Sequence, residues 1–502
     1  MRQHRLLILL LSALLLLSAC GGTGPAAEPP PEEEPDISQG DPAPAPLPFT
    51  LAIYPEYSIH PVLGANRANL TLAPLLYEPL FQVDNSFQAR PVLCQSWTAS
   101  EDKLTWTLTL RSGITFSDGT PLTGETVAAA LELARGENSR FAKRLETVTG
   151  VTGEGEEVTL TLSRPNASLP LLLDIPIALG ERERPAGTGP YVLQGAEENL
   201  TLSARAGWWQ RKSLPAQTIR LRPVSKSDEM VLAFDSGDVS LVDVDLMGTN
   251  ALGYLGNYEI WDYPTTDLIY LGFNTQTGVC RTPQVRQALA LALDREAIVQ
   301  VPYASHAVPA ALPFHPASAL YDQTLADRLA YNPEEMASRL ESRRVLGREL
   351  TLIVNGENPA KVSAAQLIAY QLESAGMQVT LRELTFEDFT AALSRGDFDL
   401  YLGEVVLPAD FSLFALLSPG GELNYGGWTF WECYTLLLEL AQAEEADRPQ
   451  AAAALCEFLL EEVPIAPICF KNGSVLAQWG RLSGLNPVRE NVFYELENWS
   501  VQ

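Results

Sequence analysis

The stretch ELTLIVNGENPAKVSAAQLIAYQLESAGMQVTLRELTFEDFTAALSRGDFDLYLGEVV, residues 349 to 406, decides the fold. RELTLIVNG (348–356) reads as a strand, and AKVSAAQLIAYQLESAG (360–376) as a helix that stops at Gly376. MQVTLREL (377–384) is a second strand. TFEDFTAALSRG (385–396) is a second helix, capped by Thr385 with Asp388 at the box position. FDLYLGEVV (398–406) closes the series as a third strand. Alternation of this kind specifies a β-α-β-α-β unit with a parallel sheet, an α/β fold. In such sheets ligands bind beyond the carboxyl ends of the strands, where connections reverse direction. Glu404 and Asp410 sit at such an end.

Moving outward, KLTWTLTLRSGITF (103–116) alternates Leu104, Trp106, Leu108 and Leu110 against Thr105, Thr107 and Thr109, the period of a strand with one buried face. SDGTPLT then supplies turn chemistry. Thr123 is placed to cap a helix through GETVAAALELA that stops at Gly136. EEVTLTLS (156–163) and ENLTLSA (198–204) alternate in the same way, so the first half is strand-rich. TPQVRQALALALDREAIVQ (282–300) is expected to form one helix, with Thr282 as cap and Pro283 at the first helical position. Its Val285, Ala288, Leu289, Ala292 and Val299 make an apolar face suited to core packing.

The N-terminus has the layout of a signal peptide: Arg2 and Arg5, an apolar run from Leu6 to Ala19, then Cys20 and glycines. Fourteen residues fall short of the roughly 20 that a spanning helix needs. Leu17-Ser18-Ala19-Cys20 resembles the bacterial lipobox, which implies removal of residues 1–19 and a mature chain anchored to a membrane by lipid on Cys20. Residues 21 to 48 hold nine prolines and almost no large apolar side chains, so the lipidated Cys20 and the Pro-rich stretch to 48 read as a tether. At about 3.1 Å per residue it reaches up to roughly 85 Å.

The formal charge of −28 becomes −30 once Arg2 and Arg5 are lost with the leader. Such a body is expected to repel nucleic acid and anionic lipid and to favour cationic ligands weakly, with solubility of an exported protein as the stronger competing cause of the charge. If Cys20 is acylated, five cysteines remain, so at least one is unpaired within the chain. No CxxC spacing points to a structural zinc site, and a Cys433–Cys456 bridge between neighbouring helical stretches is left open.

Catalytic constellations are missing: the sequence has no GxSxG elbow, no HExxH and no GxxxxGK[ST] loop. His60 and His315 each precede a proline, and as lone loop histidines they read as solvated; a metal site on His306 and His315 is disfavoured. Aromatic residues carry more information. Tyr54, Tyr57, Trp208, Trp209, Tyr270, Phe273, Tyr401, Phe411, Trp428 and Trp431 fall near predicted strand ends or loops. Small-ligand clefts need such apolar walls, although for each ring core packing is the competing use.

Several segments together resemble the family 5 extracellular solute-binding proteins, the oligopeptide, dipeptide and nickel receptors of ABC importers. LLYEPLFQVDNSFQARPVLCQSWTASEDKLTWTLTLRSGITFSDGTPLTGETVAAALELA (75–134) is similar to that family's signature region nearly throughout. GTGPYVL (187–193), AGWW (206–209), YLGFNTQTGVCRTPQVRQALALALDREAIV (270–299), RGDFDLYLGE (395–404), APICF (466–470) and LSGLNP (482–487) follow in the family's order.

The resemblance implies a two-lobed periplasmic-binding-protein-like fold of the class II type, with the ligand cleft between lobes. Lobe I would comprise 49–263 plus 473–502 and lobe II 270–468, with a hinge near 263–270 and 465–473. Cleft candidates are then Tyr54, Tyr270, Phe273, Asn274, Glu404, Leu407, Asp410 and Trp428. Peptide receptors of the family carry an Asp that pairs with the peptide's amino terminus. Matching from Gly403 puts Leu407 at that place, leaves Asp410 on the following acidic position, and sets Glu404 where a Trp is usual.

The implied function is a membrane-tethered, extracytoplasmic, monomeric receptor that binds peptide for import. It performs no covalent chemistry, holds no cofactor or metal, and hands its solute to ABC permease subunits. A chelated metal, a sugar-like solute or a signalling peptide are alternative ligands on the same fold, and a sensor or partner-binding lipoprotein without transport is a further reading. A secreted hydrolase, which needs a nucleophile and base together, comes last.

Overall fold

The 349–406 stretch folds as strand Glu349–Asn355, helix Pro359–Ser374, strand Gln378–Leu384, helix Phe386–Arg395 and strand Leu400–Val406. Asn358 accepts from Lys361 N to start the first helix. Thr385 accepts from Asp388 N to start the second, which stops where Gly396 turns left-handed at φ 67°. Glu349–Asn355 pairs in parallel with both other strands. This is a computed structural model that describes residues 48–196 and 199–502. The leader, Cys20 and the tether up to residue 47 lie outside the described residues.

The sheet is mixed where the pattern suggested a parallel one. Leu400–Val406 pairs antiparallel with the long strand Tyr258–Phe273, which pairs antiparallel with Ile465–Gln478. These two strands run from the second lobe into the first, whose Leu241–Val244 pairs with the far end of Ile465–Gln478. The first lobe adds two four-stranded sheets. One holds Thr50–Ile53 beside Thr218–Pro223; in the other, Thr105–Leu110 buries Trp106, Leu108 and Leu110 and leaves its threonines half-buried, as their alternation requires. Near the chain end, Leu485, Phe493 and Trp499 share a core with Phe49 and Leu51.

Three expectations are corrected, and one open question is decided. Residues 282–300 form two helices, Pro283–Ala290 and Arg295–Gln300, because Asp294 caps the second by accepting from Ala297 N; Thr282 makes no side-chain cap bond. His60 is buried: its Nδ1 takes the Val62 and Leu63 N–H groups and its Nε2 bonds Gly180 O, so the ring satisfies a turn. His315 is buried between the rings of Phe87 and Phe470, and burial pushes its imidazole down to about 4. Cys94, Cys280, Cys433, Cys456 and Cys469 are all free and buried, so no Cys433–Cys456 bridge is formed.

One contact had no signature in the pattern. Phe87, on a first-lobe hairpin, inserts into the second lobe's core, its ring 4.9 Å from that of Phe411.

Where Tyr258–Phe273 meets Leu400–Val406, two glycines seat two tyrosines. Tyr270 pairs with Gly403 and Gly272 with Tyr401, so each ring lies over the bare backbone opposite. A Cβ on Gly403 would stand 2.4 Å from Tyr270 Cζ. Gly403→Ala is therefore expected to destabilise the protein by about 1–3 kcal/mol, the usual cost of overpacking, seen as a lower urea midpoint at unchanged slope. Adding Tyr270→Leu should recover part of that loss; no recovery would locate the strain elsewhere.

Candidate functional site

A run of connected cavities opens between the lobes. The first, of about 350 Å³, has one wall from residues 140–172 of the first lobe and the other from residues 405–448 of the second. It shares Arg140, Arg144, Val406 and Arg489 with a second cavity of about 420 Å³ over the crossing strands. That one shares Arg67, Thr71, Asp243 and Asp245 with a third, of about 430 Å³, which lies within the first lobe. Val406 is 70% exposed and gives the junction an apolar floor.

Beside the middle cavity sits a buried ammonium group. Lys471 lies in the otherwise apolar strand Ile465–Gln478, and its Nζ contacts Asp245 at 3.2 Å, Asp267 at 3.0 Å and Glu404 at 2.6 Å. Lys361, from the helix Pro359–Ser374, also pairs with Glu404. Burial opposes charge on Glu404, but Lys471 and Lys361 outweigh it and hold the carboxyl at about 2. Asp267 differs: burial pushes it up to about 7 against the pull of Lys471, with Glu404 and Asp245 adding repulsion. The Lys471 ammonium is held well above its usual range, because its three carboxylates outweigh the cost of burial.

The outer cavity is basic. Arg144 bonds Asp174 at 2.7 Å and Glu490 at 2.6 Å, Arg489 bonds Asp174 at 2.6 Å, and Arg140 bonds Glu490 at 2.9 Å. Burial of Glu490 is outweighed by these three arginines, which drive its carboxyl far below the usual range. Across the lobes, Asn166 Nδ2 donates to the Asp410 carboxylate at 2.9 Å and Ala167 N to Ala441 O at 2.7 Å.

The residues singled out from sequence scatter over this frame. Asp410 and Leu407 line the outer cavity, Asp410 bonded across the cleft to Asn166. Leu407 is buried and its backbone pairs with Thr266. Glu404 is occupied by its two lysines. Tyr54 lines the cavity inside the first lobe, its backbone clamped by Asn69. Tyr270 and Phe273 are packed in the second lobe's core. Asn274 is a turn former, donating to Gly396 O and Phe398 O while accepting from Gln276 N and Thr277 N. Trp428 is buried, stacked on Phe430 at 5.1 Å. No helix among the described residues is long and apolar enough to cross a membrane.

Residues 88 to 421 match the family described as "Bacterial extracellular solute-binding proteins, family 5 Middle". The chain belongs to this family. Family 5 is a solute-binding family, not an enzyme family. Among curated relatives, the glutathione-binding protein GsiB of Salmonella typhimurium is 26% identical over 276 residues, 50% of this chain and 53% of the relative. GsiB of Escherichia coli K12 is 27% identical over 272 residues, again 50% and 53%. The chain thus spans about half the length of the curated relatives it matches. Among solved structures, HbpA2 from Haemophilus parasuis superposes with a TM-score of 0.76 at 20% identity, over 90% of this chain and 99% of that one. The ABC transporter substrate-binding protein CtaP from Listeria monocytogenes gives 0.73 at 20%, over 90% and 99%. NikZ from Campylobacter jejuni in complex with Ni(L-His) gives 0.63 at 18%, over the same shares. At these identities the structural likeness bears on fold alone.

Sequence reasoning missed Lys471, Lys361, Asn166 and the arginines that line the outer cavity. For Lys471 a signal existed: a lone lysine inside IAPICFKNGSVLAQ is out of place in a buried strand unless carboxylates meet it. The arginines gave none, since isolated arginines in loops or at helix starts are ordinary surface residues.

The Lys471 cluster gives pH-dependent stability of known sign. Asp267 binds its proton more readily folded than unfolded, so its contribution is full below 3.8, its ordinary value, and is lost as pH rises through about 7. The Glu404 contribution runs the other way: present above its ordinary 4.5, it is lost as pH falls towards about 2. Lys471→Met is expected to cost about 3–5 kcal/mol at pH 8, the usual penalty for stranding buried charge. At pH 5 the cost should be smaller, because the stranded carboxyls take up protons. Urea unfolding at both values measures this, and equal losses would show that Lys471 does not neutralise the cluster.

Proposed function

We propose that this chain is the solute receptor of an ABC importer, binding peptide-class solutes in the cleft between its lobes without chemical conversion. The observation that carries this reading is the continuous run of cavities walled by both lobes, with polar groups set around the apolar floor at Val406. Residues 49–263 with 473–502 form lobe I in this reading and residues 270–468 form lobe II. The hinge lies where Tyr258–Phe273 and Ile465–Gln478 lose register between Pro264 and Asp267. Closure of the lobes around a solute would present the loaded form to permease subunits.

Two supports favour peptides. The relatives in Salmonella and Escherichia coli are named for glutathione, itself a tripeptide. Arginine- and carboxylate-lined stretches of the cleft also suit the two ends of a zwitterion. Native mass spectrometry of the purified protein against a tripeptide library, reduced glutathione and nickel-histidine is expected to retain peptides stoichiometrically and unchanged. Retention of the nickel complex alone would move the ligand class to chelated metal, and turnover of any peptide would overturn the receptor reading.

We also assign the lipid anchor to Cys20, whose setting after the apolar run resembles a lipobox. Cys20→Ser should abolish labelling by palmitate and move the protein from the membrane to the soluble fraction. Unchanged labelling and fractionation would remove that role.

A further inference from the structure

We propose that the cleft ligand presents a carboxylate, and that Arg164 of the first lobe and Arg448 of the second receive it in the outer cavity. This rests on the reading of the cleft as the ligand site. Six basic side chains line that cavity, and four of them are already matched. Arg140, Arg144 and Arg489 are held by Glu490 and Asp174, and Lys143 by Glu146 and Glu422 at 2.7 and 2.8 Å.

The other two differ. Among the described residues Arg164 has neither an ion-pair nor a hydrogen-bond partner. Its guanidinium carbon lies 3.7 Å from the centre of the Phe414 ring, across the cleft. Stacking on a ring fixes the guanidinium plane and leaves its edge of N–H donors open, the geometry that matches a carboxylate with two parallel bonds. Arg448 donates from Nη2 to the backbone oxygen of Asp410 at 3.0 Å, while its buried Nε has no partner. The Asp410 carboxylate accepts instead from Asn166 Nδ2 and Ser412 N.

Arg448 as a whole is partly buried, but its Nε is a buried donor without an acceptor, which is costly. Burial weighs on the Arg448 charge more than Asp410 and Glu445 support it. Scarcity of acids does not explain the arrangement, because the chain has 62 Asp and Glu against 34 Lys and Arg. An anionic group bound by two cations from opposite walls of one cavity would satisfy both and tie the two lobes together.

The test is native mass spectrometry of the full-length protein against an equimolar tripeptide library as free acids and the same library amidated at its C-terminus. Wild type should retain free acids at least about tenfold better than amides, the scale of one charge-assisted bond. If the carboxylate comes from a side chain, the retained amides will be those containing Asp or Glu; if from the chain end, amidation will lower all of them. Arg164→Gln should bring the acid-to-amide ratio close to one with an unchanged melting temperature, and Arg448→Gln should do the same if it folds. Equal retention of acids and amides by wild type with no enrichment of Asp- or Glu-containing peptides, or a preference for carboxylates that survives Arg164→Gln, overturns the assignment while leaving the receptor reading intact. Retention of neither library overturns both.

Discussion

One buried ammonium group joins four pieces of chain that are distant in sequence. Lys471 is 4% exposed and meets carboxylates from the end of a first-lobe strand, from the partner crossing strand and from the last strand of the quoted unit. An ion in that position is tolerable only while its counter-charges are in place, so their backbones are held to within an ångström or so. That requirement pins Asp267 opposite Lys471 and forces the two residues before it, Thr265 and Thr266, out of regular pairing. The freed threonines then serve other bonds: Thr265 reaches Lys471 O and Thr266 reaches Leu407 O. The loop after Gly403 therefore takes its position from the same cluster.

The quoted stretch was readable because its alternation, its Thr385 cap and its Gly396 stop all agree locally. Agreement of that kind survives any tertiary context. What was not readable depends on distance along the chain. The crossing strands read as apolar runs, and nothing local says that Leu400–Val406 pairs antiparallel with one of them. The 282–300 helix failed at a local competition: Asp294 serves as a cap better than it continues a helix. The aromatic residues near strand ends divided by tertiary position, Tyr54 lining a cavity while Tyr270 and Phe273 filled core. Histidines before prolines were misplaced for a related reason. A ring that accepts two backbone N–H groups, as His60 does, substitutes for the secondary structure that such a turn lacks.

Charge is distributed against the composition. A chain of net charge −28 places six basic side chains around one cleft cavity and keeps most of its carboxylates elsewhere. Screening over about 8 Å at physiological salt confines the effect of distant surface acids, whereas groups lining a partly enclosed cavity act at short range in a lower dielectric. The local sign of the cavity is thus set by its own lining and not by the net charge of the chain. An acidic surface also keeps the protein off anionic lipid.

The departures around Gly403 belong together. Leu407, the residue that a match from Gly403 sets at the place of an amine-pairing Asp, is buried and paired to Thr266. Glu404 does not replace that Asp, since Lys471 and Lys361 already satisfy both of its oxygens. Asp267, pushed up to about 7, is a weak counter-charge near neutral pH. The middle of the cleft therefore offers a ligand an apolar floor at Val406 and little net charge. The strongest polar grip lies at the arginine end, while Asp243 and Asp245 on the first-lobe cavity are already paired with Arg67 and Lys471. A ligand oriented by its anion, with its amine held more weakly, is the arrangement this distribution of charge favours.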